Sequence, residues 1–261
     1  MVNLPTMMEL LEAGTHFGHE RAKWNPKMAP AIFDLRNNVH IIDLAQTLRQ
    51  LKRATEFIRQ VVKEGKTVLF VGTKRQAREI VAREAQRCGM PYVTTRWLGG
   101  TFTNFSTVKK SIERLQKLRE ERATNAWRHL TKKERAVREK TIERLEKVLS
   151  GIREMTELPG AVFLMGAYDE KLAALEARRT GITVIGVVDT NADPDLVDIP
   201  IPGNDDALRS IELLTRAIAD AVQEGKRQAE REKSTAATVG KKKAGRPADM
   251  LVKGKEEAKK E

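Results

Sequence analysis

The chain has 261 residues, 40% of them hydrophobic and 32% charged, with a formal charge of +12 and a pI near 9.8. That length carries one full α/β core with an accessory element, or two small domains, and the excess of Lys and Arg points to a polyanionic partner. No run approaches the ~18 apolar residues of a membrane span, residues 1–12 lack the Lys or Arg of a secretory leader, and the lone Cys88, read as a packing thiol, excludes an intrachain disulfide framework and fits a reducing cytoplasm.

Thr6 and Glu9 stand in capping-box spacing and Gly14 supplies a stop, which predicts a short helix over 6–14. Residues 15–28 follow without a regular period and hold His16, His19, Arg21, Lys23, Trp24 and Lys27. Cations beside an aromatic face suit phosphates and bases, although a Trp is more often a local core anchor. Apolar runs over 31–35 and 39–43 flank Arg36-Asn37-Asn38. Paired asparagines tolerate positive φ, so a β-hairpin is expected.

Leu44, Leu48, Leu51, Ala54, Ile58 and Val61 fall at helical spacing, predicting a helix over 44–63 that Gly65 ends. Residues 68–72 read as a strand covered on both faces. Thr73-Lys74-Arg75, a helix over 76–88 and a second strand over 92–95 follow. This βαβ alternation implies a parallel sheet with right-handed crossovers.

The chain changes character at Arg96-Trp97-Leu98-Gly99-Gly100-Thr101-Phe102-Thr103-Asn104-Phe105. Adjacent glycines suit a tight corner. One reading is a structural elbow; the other adds Arg96, Thr103 and Asn104 facing a nucleic-acid backbone, and the two are compatible. Residues 106–155 are dense in charge, with Val108, Ile112, Leu115 and Leu118, then Ile142, Leu145, Leu149 and Ile152, at helical spacing around a break at Trp127. This predicts an antiparallel helical hairpin, a coiled-coil arm with too little apolar surface to stand alone. Most of its cations read as a solvated face; Lys109, Lys110 and Arg114, nearest the elbow, are expected on phosphates.

The core resumes with strands over 161–165 and 183–189 around a helix over 170–179, an edge strand over 199–203 where proline is tolerated, and a helix over 207–223. From Glu224 the composition narrows to Lys, Glu, Ala, Gly and Thr, which cannot bury a core, so residues 224–261 are expected to be disordered. The expected organisation is an α/β core of residues 1–105 and 156–223 with a five-stranded parallel sheet, a hairpin of residues 106–155, and a basic tail. The net charge is +7 over residues 1–105, +7 over 106–155, −7 over 156–223 and +5 over 224–261. Such segregation suggests one face turned to a polyanion and an acidic one turned to protein or solvent.

No G-x-x-x-x-G-K-[ST] loop, G-x-G-x-x-G fingerprint or G-x-S-x-G elbow occurs, which argues against a nucleotide-binding α/β enzyme, the rival reading. A DNA-compacting protein acting through Lys241-Lys242-Lys243 and its neighbours is a third. Asp189 and Asp205 fall at carboxyl ends of strands, where α/β sites form. With His16 and His19 they would complete a mixed N/O site acceptable to zinc; the plainer reading is that they cap the next helix.

Gly14-Thr15-His16-Phe17-Gly18-His19, Trp24-Asn25-Pro26-Lys27-Met28, His40-Ile41-Ile42-Asp43-Leu44, Leu69-Phe70-Val71-Gly72-Thr73-Lys74, Arg96-Trp97-Leu98-Gly99-Gly100, Thr103-Asn104-Phe105, Asp189-Thr190-Asn191 and Pro202-Gly203-Asn204-Asp205-Asp206-Ala207 stand in this order. Over residues 8–223 the chain closely resembles the bacterial small-subunit ribosomal protein number two family. The resemblance implies a flavodoxin-like α/β domain with an inserted coiled-coil arm and no catalysis. It further implies binding of 16S rRNA at the neck between head and body, help in holding ribosomal protein number one for initiation, and zinc near the two histidines and the strand-end aspartates. One departure stands out: Gly166-Ala167 replaces the family's common Asp-Pro, so the third strand of the parallel sheet ends without a carboxylate. Phosphate contacts are expected from Arg21, Lys23, Lys27, Arg36, Lys74, Arg75, Arg96, Lys109, Lys110 and Arg114, with Trp24 and Trp97 stacking or supporting.

Overall fold

The computed structural model describes residues 4–244, and the side chains of residues 4–232. Helix α1 (Met7–Glu12) opens the chain, with both halves of the Thr6–Glu9 capping box formed. Strands β1 (Phe17–Glu20), β2 (Ile32–Arg36) and β3 (Val39–Ile42) then pair antiparallel in the order β1-β3-β2. Asn37 and Asn38 take φ of 49° and 64°, as a two-residue type I′ turn requires. β1 lies inside the stretch that shows no period. It is fixed by pairing across the sheet, Phe17 opposite Ile41 and Glu20 opposite Val39 with a register shift between them.

After α2 (Leu44–Lys63) come β4 (Val68–Val71), α3 (Arg78–Cys88), β5 (Tyr92–Val93), α4 (Phe105–Ala123), α5 (Lys132–Leu149), β6 (Ala161–Met165), α6 (Lys171–Arg179), β7 (Thr183–Val188), β8 (Ile199–Pro202) and α7 (Leu208–Ala244). The five strands from β4 onward form a parallel sheet in the order β5-β4-β6-β7-β8. Counted among themselves they run 2-1-3-4-5, the flavodoxin-like order.

Alternate residues of each strand feed opposite cores. Val68, Phe70, Phe163, Ile185 and Ile201 pack with α2, α3 and α7, and Phe70 meets Phe163 edge to face at 5.6 Å. Leu69, Val71, Val162, Leu164 and Val184 pack with α6 and the roots of α4 and α5. Both faces are covered, so the central strands read as unbroken apolar runs. β8 carries Pro200 and Pro202 at the sheet edge, where a missing N–H leaves no gap in the ladder.

Helices α4 and α5 run antiparallel, joined by ion pairs Arg119–Glu146 (2.6 Å) and Arg138–Glu121 (2.7 Å). Trp127, read from sequence only as a break, is the core of the tip. It is 6% exposed, its indole N–H donates to Glu121 at 3.0 Å, and the Arg138 guanidinium sits 5.6 Å from its ring centre. Where the hairpin returns to the sheet, Gly151 is obligatory, since a Cβ there would run into the carbonyl oxygen of Tyr92.

The last helix, expected to end at Gln223, continues as α7 to Ala244, 37 residues and about 55 Å. The reason lies in tertiary partners. A Cβ on Gly225 would meet the Arg59 carbonyl oxygen at 2.8 Å, so the helix passes close against α2. The Lys226 ammonium donates to the carbonyls of Cys88 (2.7 Å) and Gly89 (3.1 Å) at the end of α3, and Glu232 pairs with Lys63 at 2.6 Å. Residues 245–261, the rest of the expected disordered tail, lie outside the described residues. Cys88 is a buried packing thiol, as expected, and burial pushes its pKa up to about 12.

Candidate nucleic-acid interface and carboxylate cluster

The elbow between β5 and α4 is folded around a carboxylate. Glu176 of α6 is 4% exposed. Its Oε1 accepts from Trp97 Nε1 (3.1 Å) and Gly100 N (2.8 Å), and its Oε2 from Phe102 N (3.0 Å), Thr103 N (3.4 Å) and Thr103 Oγ1 (3.4 Å). Burial alone would raise its pKa. The donors of Gly100, Phe102, Trp97 and Thr103 outweigh burial and hold the carboxyl below its ordinary value.

This geometry corrects part of the expected interface. Trp97 is buried against Phe102 at 4.9 Å, so it supports the fold and offers no stacking face. Thr103 is bonded to Glu176, and Asn104 Oδ1 accepts from Thr107 Oγ1 (2.9 Å) and Ser106 Oγ (3.3 Å) at the start of α4. Both shape the elbow and are engaged internally; Arg96 alone of its three polar candidates is exposed and unpaired among the described residues.

The candidate cations divide in the same way. Lys27 pairs with Asp193 (3.0 Å) and Asp195 (2.6 Å), Arg36 with Asp34 (3.1 Å), and Lys74 with Asp205 (2.7 Å) and Asp206 (2.6 Å). Arg21, Lys23, Arg75, Arg96, Lys109, Lys110 and Arg114 are exposed and make no ion pair among the described residues. Trp24 is half-buried, its ring 5.1 Å from that of His40. The acidity of residues 156–223 is therefore not a separate face. Much of it pairs with cations of the amino-terminal half, partly at the surface, as Arg83–Glu212 and Arg87–Asp220 (both 2.6 Å) also show.

At the carboxyl ends of β4, β7 and β8 a second group assembles around His19. Gly18 lets β1 approach β7 closely, since a Cβ there would lie 2.6 Å from Thr190 Cγ2, and His19 N donates to Thr190 Oγ1 at 2.8 Å. His19 Nδ1 lies 3.1 Å from Asp189 Oδ1 and Nε2 3.4 Å from Asp206 Oδ2. The Asp189 hydrogen bond, helped by the charges of Asp189, Asp205 and Asp206 and opposed by burial, raises the pKa of His19. Asp205 is 1% exposed; burial and the Asp189 charge push its pKa up to about 6 against the pull of Lys74.

His19, Asp205 and Asp206 bring ligand atoms within 4.8 Å of one another, and Asp205 Oδ2 is buried without a hydrogen-bond partner. Asp189 holds the far nitrogen of His19, the arrangement that orients imidazole ligands. The donor set fits a divalent ion that takes N and O, zinc included. His16 does not join it. Its ring packs on Phe17 at 4.0 Å and lines a groove beside α1. Positions three apart along extended chain point to opposite sides, so an H-x-x-H spacing entering β1 separates the two rings. Asp206, absent from the expected ligand set, joins His19 and Asp205, and Asp189, expected as a ligand, braces His19 instead.

The turn after β4, where a nucleotide phosphate would sit, is filled from within. Thr73 N donates to Glu170, a side chain 2% exposed whose pKa burial raises. A doubly wound sheet whose turn after β4 is occupied by its own carboxylate, with exposed unpaired cations that include four at the elbow and the root of a helical hairpin, defines a binding scaffold.

Comparison with known proteins agrees. The family model for ribosomal protein S2 matches residues 10–225. The chain is 54% identical to the small ribosomal subunit protein uS2 of Geotalea uraniireducens, over 84% of this chain and 86% of that protein. It is 51% identical to the uS2 protein of a Nitratiruptor species, over 87% and 85% of the two chains. The chain belongs to the ribosomal protein S2 family: it is a ribosome-bound structural constituent of the small subunit in the cytoplasm, and not an enzyme. No helix among the described residues is long and apolar enough to cross a membrane.

Proposed function

We propose that this chain binds 16S rRNA at the neck between head and body of the small subunit and helps hold ribosomal protein number one there. The RNA reading is carried by one observation: seven expected phosphate contacts stay exposed and unpaired among the described residues, while Lys27, Arg36 and Lys74 are paired with acids of the same chain. Four of the seven, Arg96, Lys109, Lys110 and Arg114, stand on the elbow and the first turns of α4, whose path Glu176 and Asn104 fix. The working unit is the α/β core of residues 1–105 and 156–223 with the hairpin of residues 106–155 as its extension. In a titration of the full chain with a 16S rRNA fragment across salt concentrations, Arg96→Ala, Lys109→Ala and Arg114→Ala each lower the log–log salt slope by about 1, and Lys27→Ala and Arg36→Ala leave it unchanged. Equal effects from both sets contradict the assignment.

Recruitment of protein number one is supported by an apolar surface and not by the acidic half. Phe33 is 74% exposed, and with Met7, Leu11 and Phe17 it borders a groove of about 700 Å³ between α1 and the β2-β3 hairpin. Such a contiguous apolar surface suits an amphipathic segment of a partner protein. Phe33→Asp abolishes co-purification with protein number one under this reading; retention at the wild-type level contradicts it. His19, Asp205 and Asp206 would hold a zinc ion, which supplies a structural cross-link between β1 and the turn after β8.

A further inference from the structure

The carboxylates that would receive a divalent ion already hold a cation. The Lys74 ammonium lies 2.7 Å from Asp205 Oδ1, 2.6 Å from Asp206 Oδ1 and 3.9 Å from Asp169 Oδ2, and the side chain is 18% exposed. Asp205 and Asp206 are also two of the three residues whose ligand atoms converge with His19. The oxygen that Lys74 leaves unused, Asp205 Oδ2, is buried and unpartnered. It faces Gly166, where a Cβ would stand 3.0 Å from it and 3.8 Å from Asp169 Oδ2. The cradle therefore stays open at the strand end that lacks a carboxylate of its own.

We propose that Lys74 is the resident counter-cation of this site and exchanges with a divalent metal ion such as zinc, its ammonium moving out to join the RNA-facing cations. The inference rests on the zinc reading above. A monovalent ammonium and a divalent ion sharing two carboxylates repel at short range in a poorly solvated site. The lysine stem is flexible enough to leave by rotamer change alone. Its exit is a cavity of about 470 Å³ lined by His19, Lys23, Lys74, Tyr168, Asn191 and neighbouring acids. Lys23, exposed at that mouth, marks where a phosphate would meet the released charge. Linkage makes the effect reciprocal: RNA that holds Lys74 outside tightens metal binding by the factor with which metal tightens RNA binding.

The test measures zinc affinity of the full chain by competition with a chromogenic chelator. Lys74→Met and Lys74→Gln bind zinc about tenfold more tightly than wild type, and a 16S rRNA fragment tightens zinc binding in wild type but not in these variants. In the unsubstituted chain, zinc raises the reactivity of Lys74 towards reductive methylation, mapped by mass spectrometry; this arm needs no variant to fold. Unchanged or weaker zinc binding in both variants, or a Lys74 equally protected with and without bound zinc, overturns the exchange while leaving the metal site standing. Absence of zinc binding in folded wild type, with His19→Ala indistinguishable from it, overturns the zinc reading and the exchange together.

Discussion

Trp97 and Glu176 are joined by a 3.1 Å hydrogen bond from indole Nε1 to carboxylate Oε1, across 79 positions of sequence. The bond sets the elbow on α6 and so fixes where Arg96 and the start of α4 stand. Glu176→Ala leaves several buried donors without an acceptor, each costing about 1–3 kcal/mol, so urea unfolding should show a loss of at least about 3 kcal/mol. The same variant should bind RNA more weakly although it has lost a negative charge. Tighter binding would mean that Glu176 acts on RNA by simple repulsion. Because the folded pKa of Glu176 is depressed, its stabilisation is present above the ordinary carboxylate range and is lost as pH falls through the folded value. The stability gap to Glu176→Gln should therefore close in acid.

The extension of α7 makes a separate prediction. Ending the chain after Gln223 removes Gly225, the Lys226 bonds to the end of α3 and the Lys63–Glu232 pair. It should lower stability by about 1 kcal/mol or more, as loss of a cation at a helix C-terminus does, with little change in RNA affinity. Ending it after Glu232 should leave both intact. Thermal unfolding and filter binding on the two truncations distinguish them, and loss of RNA binding in both would return the tail to the interface.

His19 should titrate above the ordinary histidine value, most directly because Asp189 bonds its Nδ1. Its folded form then holds a proton more tightly than the unfolded chain. That contribution is complete below about pH 6.5 and is lost as pH rises through the folded value. Asp205, raised to about 6, has the same sign: the folded chain keeps a proton that the unfolded chain releases near 3.8. Stability from this cluster, where Asp206, Lys74 and Asn191 also face His19 or Asp205, should fall as pH rises from about 4 into the neutral range. Proton NMR titration of His19 checks it; Asp189→Asn should move the midpoint down, and a wild-type midpoint below about 6.5 would refute the ion pair.

The elements legible in sequence are those whose signal is local. β4, β6 and β7 are apolar throughout because both faces are covered, the Asn37-Asn38 turn declares its hairpin, and two capping boxes mark α1 and α5. Asp189 and Asp205 were legible as a pair because strand ends converge in a parallel sheet. What stayed hidden depends on partners far along the chain. Lys27 meets Asp193 across 166 positions and Lys74 meets Asp205 across 131, so a segregation of charge that suggests two faces is largely complementarity between two halves. Strand alternation separated His16 from His19, and α7 outran its composition because α2 and α3 supply what Gly225 and Lys226 need.

The central claim is that exposed cations at the elbow and the root of α4 hold the RNA. Arg96→Glu, Lys109→Glu and Lys110→Glu combined in one full-length chain, shown by circular dichroism to be folded, puts it to the most direct test through sedimentation of small subunits on a sucrose gradient. The account predicts that this chain stays at the top of the gradient while Lys27→Glu co-migrates with small subunits. Wild-type occupancy of small subunits by the triple variant would contradict it.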